Sequence, residues 1–154
     1  MKDVSVMVGD TKFNFRVACI LENNNRVLLH KSNKENFWNI PGGRIKAGEN
    51  SLCAIKREME EELNIKLESP KLIHISENFF VYANTKYHEI LIVYHDKIEN
   101  NEIINKQDFL ALDNTNFTYR WFKKDEVKNV FCLPEIIYEL IYQSSNTITH
   151  KIEK

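Results

Sequence analysis

The sequence predicts an α/β or α+β sandwich, and three patterns support this fold class. Segments in which apolar residues alternate come first, an amphipathic helical segment follows a glycine pair, and a second helical segment lies near the C-terminus. Strands and helices of this kind bury their apolar faces by packing in layers. With 154 residues, 43% of them hydrophobic and 28% charged, we expect one globular domain over residues 1–154.

Charge and cysteine usage limit the classes of protein to consider. The net charge of −1 predicts no general attraction to nucleic acid polymers or to anionic membranes. Three scattered cysteines favour reduced thiols over a disulfide framework or a zinc site. The N-terminus does not resemble a signal peptide, and no apolar run is long enough to cross a membrane. We therefore expect a cytoplasmic protein, and the abundance of Asn, Lys and Ile is typical of an AT-rich bacterial genome.

Residues 12–31 predict a strand, a tight turn and a second strand. Apolar residues alternate in the first part, at Phe13, Phe15, Val17, Cys19 and Leu21. Three consecutive asparagines, residues 23–25, tolerate positive φ and predict the turn. The loop that follows changes direction at Pro41 and the Gly42-Gly43 pair.

The helical segments lie after the glycine pair. Residues 51–63 predict a helix whose core-facing stripe consists of Leu52, Ile55, Met59 and Leu63. Strands are predicted at 71–82 and 86–98, on either side of an Ala-Asn-Thr turn. The polar residues 99–118 are too many for a passive connection, and we interpret them as a lid or substrate loop. TYRWF, residues 118–122, predicts the last strand, and residues 133–142 predict a closing helix.

The predicted helix at 51–63 has four glutamates in five positions. With steps of about 100° from the first apolar residue, Glu58 lies near 240°, Glu61 near 180° and Glu62 near 280°. These three share a face with the small Ala54, whereas Glu60 lies opposite, near 80°. The carboxylates repel one another and oppose the helix dipole. A bound Mg²⁺ or Mn²⁺ would remove the repulsion, since both ions prefer oxygen ligands. The alternative is a solvated acidic face, which is the commoner role of Glu-rich helices.

The context of these glutamates resembles the signature of the Nudix hydrolases, Gx5Ex7REUxEExGU with U an aliphatic residue. The matching residues are Gly43, Glu49, Arg57, Glu58, Met59, Glu61, Glu62 and Ile65. One fixed position differs, because Asn64 replaces a glycine that would end the helix in a left-handed conformation. Asparagine adopts that conformation at modest cost. The resemblance implies a Nudix-type α/β/α sandwich with a mixed sheet and the catalytic helix after a Gly-Gly loop.

The resemblance also implies an activity and a cofactor. Nudix hydrolases cleave a nucleoside diphosphate linked to another moiety by attack of water on phosphorus, with Mg²⁺ or Mn²⁺. The implied metal ligands are Glu58, Glu61, Glu62 and the carbonyl of Gly42. Arg57 and Glu49 would orient the glutamates by ion pairing, and Glu58 is also a candidate general base.

Further site residues outside the signature are expected from their chemical types. Some Nudix members recruit an additional glutamate, for which Glu89 and Glu102 are the candidates. Base stacking is assigned to Trp38, Phe80, Tyr82 and Tyr87, and contacts with phosphate or ribose to Arg16 and His88. The alternative for each aromatic residue is core packing, and for His88 a surface or structural role.

Two classes of function are compatible with the sequence. One is a metal-dependent hydrolase, and the other is a catalytically inactive Nudix-fold module that binds nucleotides or regulates. The intact signature favours the enzyme. A nucleoside triphosphate, ADP-ribose, a nucleotide sugar and a dinucleoside polyphosphate all stay open as substrates. We expect a small-molecule nucleotide partner, no nucleic acid polymer and no membrane, and a homodimer is compatible with the resemblance.

Overall fold

A computed structural model describes residues 1–154 and shows a mixed sheet with few helices, which confirms the predicted α+β class. The strands are β1 (Ser5–Val8), β2 (Thr11–Asn23), β3 (Arg26–Ser32), β4 (Gly42–Arg44), β5 (Lys71–Tyr82), β6 (Thr85–Lys97), β7 (Phe109–Leu110), β8 (Phe117–Lys123) and β9 (Thr149–Glu153). The α-helices are α1 (Ser51–Leu63) and α2 (Ile137–Leu140), and 3-10 helices cover Glu102–Asn105 and Lys124–Asn129. Neither α-helix is long and apolar enough to span a membrane.

The sheet has the strand order β7-β8-β3-β2-β6-β5-β9, and β1 and β4 also pair with β2. The pairs β2–β6 and β5–β9 are parallel, and the other pairs are antiparallel. Strand β2 pairs with β3 only next to the asparagine turn, at Glu22 and Asn23. Farther along, β4 occupies the edge of β2, while Asn39 bonds to His30 of β3. The segment that contains the glycine pair is thereby held between β2 and β3.

The core has two parts, one on each face of the sheet. Because side chains alternate along a strand, Val17 of β2 packs in the cluster that contains Ile55 and Met59 of α1. Its neighbour Ala18 packs in the opposite cluster, with Ile137 of α2. This arrangement places α1 on one face of the sheet and α2 on the other.

Helix α1 has the predicted bounds, and both ends are capped by asparagine. The side chain of Asn50 accepts a hydrogen bond from the backbone of Cys53 at 2.8 Å. At the other end Asn64 has φ 52° and ψ 39°, the left-handed conformation expected where Nudix signatures have glycine. Its N–H donates to the carbonyl of Glu60, and the N–H of Ile65 donates to that of Met59.

One side-chain prediction for α1 was wrong, because Leu52, expected in the core, is 39% exposed. Ala54, predicted to share a face with the glutamates, is fully buried. The buried residues of the helix are Ala54, Ile55, Met59, Glu62 and Leu63. On the helical wheel their arc runs from about 200° at Ala54 to about 20° at Leu63, so the direction of Leu52 falls within the arc. Leu52 is exposed because it is the second residue of the helix, in the first turn.

We expect Asn64→Gly to raise the free energy of unfolding by a few tenths of a kcal/mol and to leave turnover unchanged. Glycine adopts the left-handed conformation of this helix end without a side-chain penalty, although it also gives the unfolded chain more freedom. Chemical denaturation and steady-state kinetics measure the two effects. A large loss of turnover in a folded Asn64→Gly protein would show that Asn64 participates in the chemistry.

The C-terminal part differs from the sequence prediction. The expected helix at 133–142 is α-helical only over Ile137–Leu140, because bonds such as Tyr138 N–H to Glu135 carbonyl close three residues back. The apolar spacing is nevertheless satisfied, since Ile137 and Leu140 are buried. TYRWF does form strand β8, but β9 follows it and pairs with β5. A hydrogen bond of 2.7 Å between His74 and Thr149 links these two strands.

The polar segment 99–118 is attached to the body of the protein at several points. Ile103 is buried, and its carbonyl accepts a hydrogen bond from Trp121 at 2.8 Å. The N–H of Leu112 donates to the carbonyl of Glu62 at 2.9 Å. This second bond brings the loop to the C-terminal end of α1, next to the glutamates.

Candidate active site

The glycine pair allows α1 and β2 to approach the β4 segment. A Cβ atom on Gly43 would lie 2.3–2.5 Å from the carboxyl carbon and both carboxyl oxygens of Glu58. A Cβ atom on Gly42 would lie 2.1 Å from the carbonyl oxygen of Val17. The fold requires glycine at Gly42, where the contact is with backbone, and at Gly43 glycine is required for the Glu58 carboxylate to keep its position. The Glu58 carboxylate therefore packs directly against the backbone of Gly43.

Arg57 joins three of the signature carboxylates. Its guanidinium donates to Glu49 from Nε at 2.8 Å and from Nη2 at 2.9 Å, a two-point pairing. Its Nη1 donates to Glu58 at 2.7 Å and to Glu61 at 3.2 Å. Hydrogen bonding to Arg57 holds the pKa of Glu49 below its usual value, and the same bonds raise the pKa of Arg57. Arg57 and Glu49 therefore stay ionised, and Arg57 fixes the orientation of Glu58.

Glu62 lies on the buried side of α1 and contacts strand β8. The hydroxyl of Tyr119 donates to Glu62 Oε2 at 2.5 Å, and Nδ1 of His30 is 3.3 Å from the same hydroxyl. Since the hydroxyl has one hydrogen and donates it to Glu62, Nδ1 of His30 is the donor to Tyr119. Burial lowers the pKa of His30 to about 3, so the imidazole is neutral. The contact holds one oxygen of Glu62 in place.

The buried carboxylates of Glu58 and Glu62 have too little positive charge near them to balance their own negative charge. Burial is the main cause that raises the pKa of Glu62 to about 8, and the charges of Glu58 and Asp113 raise it further. Burial also raises the pKa of Glu58, even though Arg57 opposes this shift. Excess negative charge in a poorly hydrated place fits a site that receives a cation.

The donor set fits Mg²⁺ or Mn²⁺ by its chemistry. Glu58, Glu61, Glu62 and the backbone carbonyl of Gly42 offer oxygen atoms only, which these two ions prefer. As the side chains stand, no three acidic, histidine or cysteine side chains are close enough to hold a metal ion. Part of the reason is that Arg57 engages both Glu58 and Glu61. The half-exposed Glu61 has the freedom to reorient.

We expect the stability of the metal-free protein to decrease as the pH rises from 6.5 to 8. In this range folded Glu62, with its pKa raised to about 8, keeps a proton that the unfolded glutamate, with a pKa of 4.5, has lost. The stabilisation is therefore complete below pH 4.5 and is lost as the pH rises through 8. His30 acts in the opposite direction, since its folded pKa is lowered from 6.5. The stabilisation that comes from neutral His30 is present above pH 6.5 and is lost only as the pH falls below this value.

Melting temperatures at pH 6.5 and 8 in EDTA measure this effect. Glu62→Gln is the matched variant, because it retains the shape of the side chain and does not titrate. The decrease in melting temperature should be smaller in Glu62→Gln than in the parent. An equal decrease in both proteins would contradict a raised pKa at Glu62.

The structure places Glu89 and Glu102 apart from the three glutamates. Glu89 is buried on β6, with Oε2 at 3.8 Å from Arg16 and Oε1 at 3.3 Å from Asn78. The side chain of Glu102 is 84% exposed, and its ion pair is a 3.9 Å contact with Lys106. Arg16 lies nearer the centre, since its positive charge lowers the pKa of both Glu62 and His30.

The candidate base-stacking residues occupy different environments. Trp38 is 6% exposed and packs edge-on against Phe122, so its ring belongs to the core. Phe80 and Tyr87 stack in parallel with centroids 5.0 Å apart, and Phe80 is 41% exposed. Tyr82 is exposed, and its hydroxyl donates to Glu35.

His88 lies on the opposite face of the strands from Tyr87. Its ring stacks on Phe79 with centroids 4.4 Å apart and contacts Phe13 edge-on. It is thus separated by the sheet from the Phe80–Tyr87 pair. The structure therefore brings Tyr87 and Phe80 together, but not His88.

Three site residues were not identified from the sequence. Tyr119 and His30 meet Glu62 from strands distant in the chain, although the alternation in TYRWF indicated that Tyr119 points inward. Asp113 lies close enough to raise the pKa of Glu58 and Glu62. The signal for Asp113 was its position in the segment interpreted as a substrate loop.

Comparison with known proteins identifies the family. Residues 12–142 match the NUDIX domain family. The 8-oxo-dGTP diphosphatase of Buchnera aphidicola subsp. Schizaphis graminum is 26% identical over 121 residues, which cover 76% of this chain and 82% of that protein. An RNA pyrophosphohydrolase of Pelagibacter ubique is 43% identical over 49 residues, which cover 30% of this chain and 31% of that protein.

Solved structures show the same fold. A mutator MutT protein from Bacillus halodurans superposes with a TM-score of 0.72 at 22% identity, over 91% of this chain and 89% of that one. A MutT NUDIX hydrolase from Burkholderia pseudomallei gives a TM-score of 0.66 at 20% identity, over 85% and 98% of the two chains. Since the family match extends over most of the sequence and includes the Arg57 cluster, the chain belongs to the Nudix hydrolase family.

Proposed function

We propose that the protein is a metal-dependent hydrolase that cleaves a phosphoanhydride bond in a nucleoside diphosphate linked to another moiety. The observation that carries the proposal is the group of carboxylates on α1. Glu58 packs against Gly43, and Glu62 accepts a hydrogen bond from Tyr119. The pKa values of Glu58 and Glu62 are both raised. Buried carboxylates with raised pKa values are stabilised when a cation binds beside them.

Each residue of the group has a distinct task in this proposal. Glu58, Glu61, Glu62 and the carbonyl of Gly42 hold Mg²⁺ or Mn²⁺, which when bound neutralises charge on phosphate oxygens and favours ionisation of water. Glu49 fixes Arg57, and Arg57 fixes Oε1 of Glu58. Oε2 of Glu58 then stays available to accept a proton from the attacking water, as a general base. Tyr119 orients Glu62.

The relatives support a nucleotide as the substrate. The longer match is to an 8-oxo-dGTP diphosphatase, whose name gives a nucleotide as the substrate, and the shorter match is to an RNA pyrophosphohydrolase. We propose that this chain acts on a small-molecule nucleotide. Arg16 supports the proposal, because its half-buried guanidinium lies beside the carboxylate group and offers a cation to a phosphate.

A substrate panel tests the proposed function. The panel contains nucleoside triphosphates, 8-oxo-dGTP, ADP-ribose, nucleotide sugars and dinucleoside polyphosphates, each with Mg²⁺ and with Mn²⁺. Release of phosphate or pyrophosphate is measured, and Glu62→Gln purified in parallel corrects for contaminating phosphatases. We expect turnover of at least one class by the parent only. Nucleotide binding without turnover across the panel would instead indicate the inactive binding module.

A further inference from the structure

A row of polar side chains crosses three strands on the sheet face opposite α1. Asn14 of β2, Glu89 of β6 and Asn78 of β5 are register neighbours. Two residues farther along β6, Leu91 packs in the core on the α2 side, which defines the face. The three polar residues are only 4–5% exposed. Polar groups buried to this degree in the middle of a sheet require partners.

The partners present in the protein are too few. Asn78 donates its Nδ2 to Glu89 at 3.3 Å, but its Oδ1 is buried without a hydrogen-bond donor. Glu89 otherwise has only the 3.8 Å contact with Arg16, although a carboxylate accepts up to about four hydrogen bonds. The Glu89 carboxylate, which has room for further donors, and Asn78 Oδ1, which has none, therefore lie side by side.

The surroundings of these acceptors match the parts of a nucleotide. The next register pair outward on the same face is Phe80 and Tyr87, which stack in parallel and are partly exposed. On the inner side Arg16 contacts Glu89, and its charge reaches Glu62. Successive positions thus offer a cation for phosphate, acceptors for a base edge and aromatic rings for a base face.

We propose that Glu89 and Asn78 bind the edge of a nucleobase that has two adjacent N–H donors, as guanine does. The Glu89 carboxylate accepts from N1–H and from one hydrogen of the exocyclic amine, and Asn78 Oδ1 accepts the second amine hydrogen. Adenine is disfavoured because its N1 is an acceptor and would face the carboxylate. This assignment rests on the proposed function, and it gives Glu89 a role in base selection in place of metal binding.

Binding of nucleoside monophosphates tests the assignment, and monophosphates contain no phosphoanhydride bond to cleave. Affinities of GMP, IMP and AMP are measured by calorimetry with Mn²⁺ for the parent and for Glu89→Gln. Glu77→Gln is the matched control, because Glu77 precedes Asn78 on β5 and points to the opposite face. A well-formed two-point contact with a base discriminates by about tenfold or more.

We expect the parent and Glu77→Gln to bind GMP at least about tenfold more tightly than AMP, with IMP between them. Glu89→Gln should reduce the GMP-to-AMP ratio to within about twofold and leave AMP affinity unchanged. Asn78→Ala, which keeps the carboxylate, should reduce the GMP-to-IMP ratio and leave the IMP-to-AMP ratio unchanged. This variant also maintains the test if Glu89→Gln folds poorly.

Three results would overturn the assignment. One is a parent that does not distinguish GMP from AMP. Another is a Glu89→Gln protein in which all three nucleotides and Mn²⁺ bind more weakly by the same factor, as for a metal ligand. The third is an unchanged ratio in both the Glu89 and Asn78 variants. Base selectivity without any hydrolysis in the substrate panel would support the base site and contradict only the proposed catalytic function.

Discussion

Glu58→Gln and Glu62→Gln should each lower kcat/KM by about a hundredfold or more, whereas Glu60→Gln should stay within a few-fold of the parent. Removing a ligand that stabilises charge in the transition state costs about 3 kcal/mol, which corresponds to about two orders of magnitude in rate. Glu58 and Glu62 lie on the partly buried face with Gly43 and Tyr119. Glu60 lies in the same acidic run and is exposed.

The comparison of these three variants separates geometry from charge. Each substitution replaces one ionisable carboxyl group of α1 with a neutral amide and preserves the size of the side chain. Kinetics with the substrate identified by the panel, and melting temperatures of the metal-free proteins, are the two measurements. We expect Glu62→Gln to melt no lower than the parent, because it removes an ionisable group whose charge is disfavoured by burial. Equal loss of activity in Glu60→Gln would contradict the assignment of faces.

Gly43→Ala should lower kcat/KM to a similar degree, by about a hundredfold, while the protein remains folded. The added Cβ would coincide with the carboxyl group of Glu58, which is the far end of a flexible side chain and can move away. Displacing that carboxylate disrupts its contact with Arg57 and removes it from the metal site. Loss of Glu58 geometry, and not unfolding, is therefore the expected effect.

Gly42→Ala is the matched control for this glycine. Its added Cβ would meet backbone atoms, with Val17 O at 2.1 Å and Ala18 Cα at 2.6 Å, and backbone cannot rotate away. We expect a destabilisation of about 1–3 kcal/mol or more, typical of overpacking. Chemical denaturation and kinetics of both variants distinguish the two cases. A Gly43→Ala protein with full activity would show that the Glu58 carboxylate has no fixed position in catalysis.

Local sequence signals predicted the elements that depend on near neighbours in the chain. Helix α1 was predicted with both bounds because its apolar spacing, the turn that precedes it and Asn64 lie within one short segment. The fixed spacing of the signature likewise identified Arg57 and its glutamates. Leu52 was placed incorrectly because periodicity gives the direction of a side chain but not whether another element covers the first turn of the helix.

Features that depend on distant contacts were not predictable from the sequence. Tyr119 and Glu62 are 57 residues apart, and their hydrogen bond exists only because β8 and α1 pack on the same side. Strand β9 was missed since its pairing with β5 is parallel and its isoleucine, Ile152, is exposed. The row of Asn14, Glu89 and Asn78 depends in the same way on the register of three strands.

Turnover by metal-free protein tests the central claim most directly, namely that the carboxylates of α1 act through a bound divalent cation. The protein is treated with EDTA, its metal content is verified by elemental analysis, and hydrolysis of the panel substrate is followed before and after addition of Mg²⁺ or Mn²⁺. We predict no product above the Glu62→Gln background until the cation is added, and then full activity. Undiminished turnover by the verified metal-free protein in excess EDTA would contradict the account.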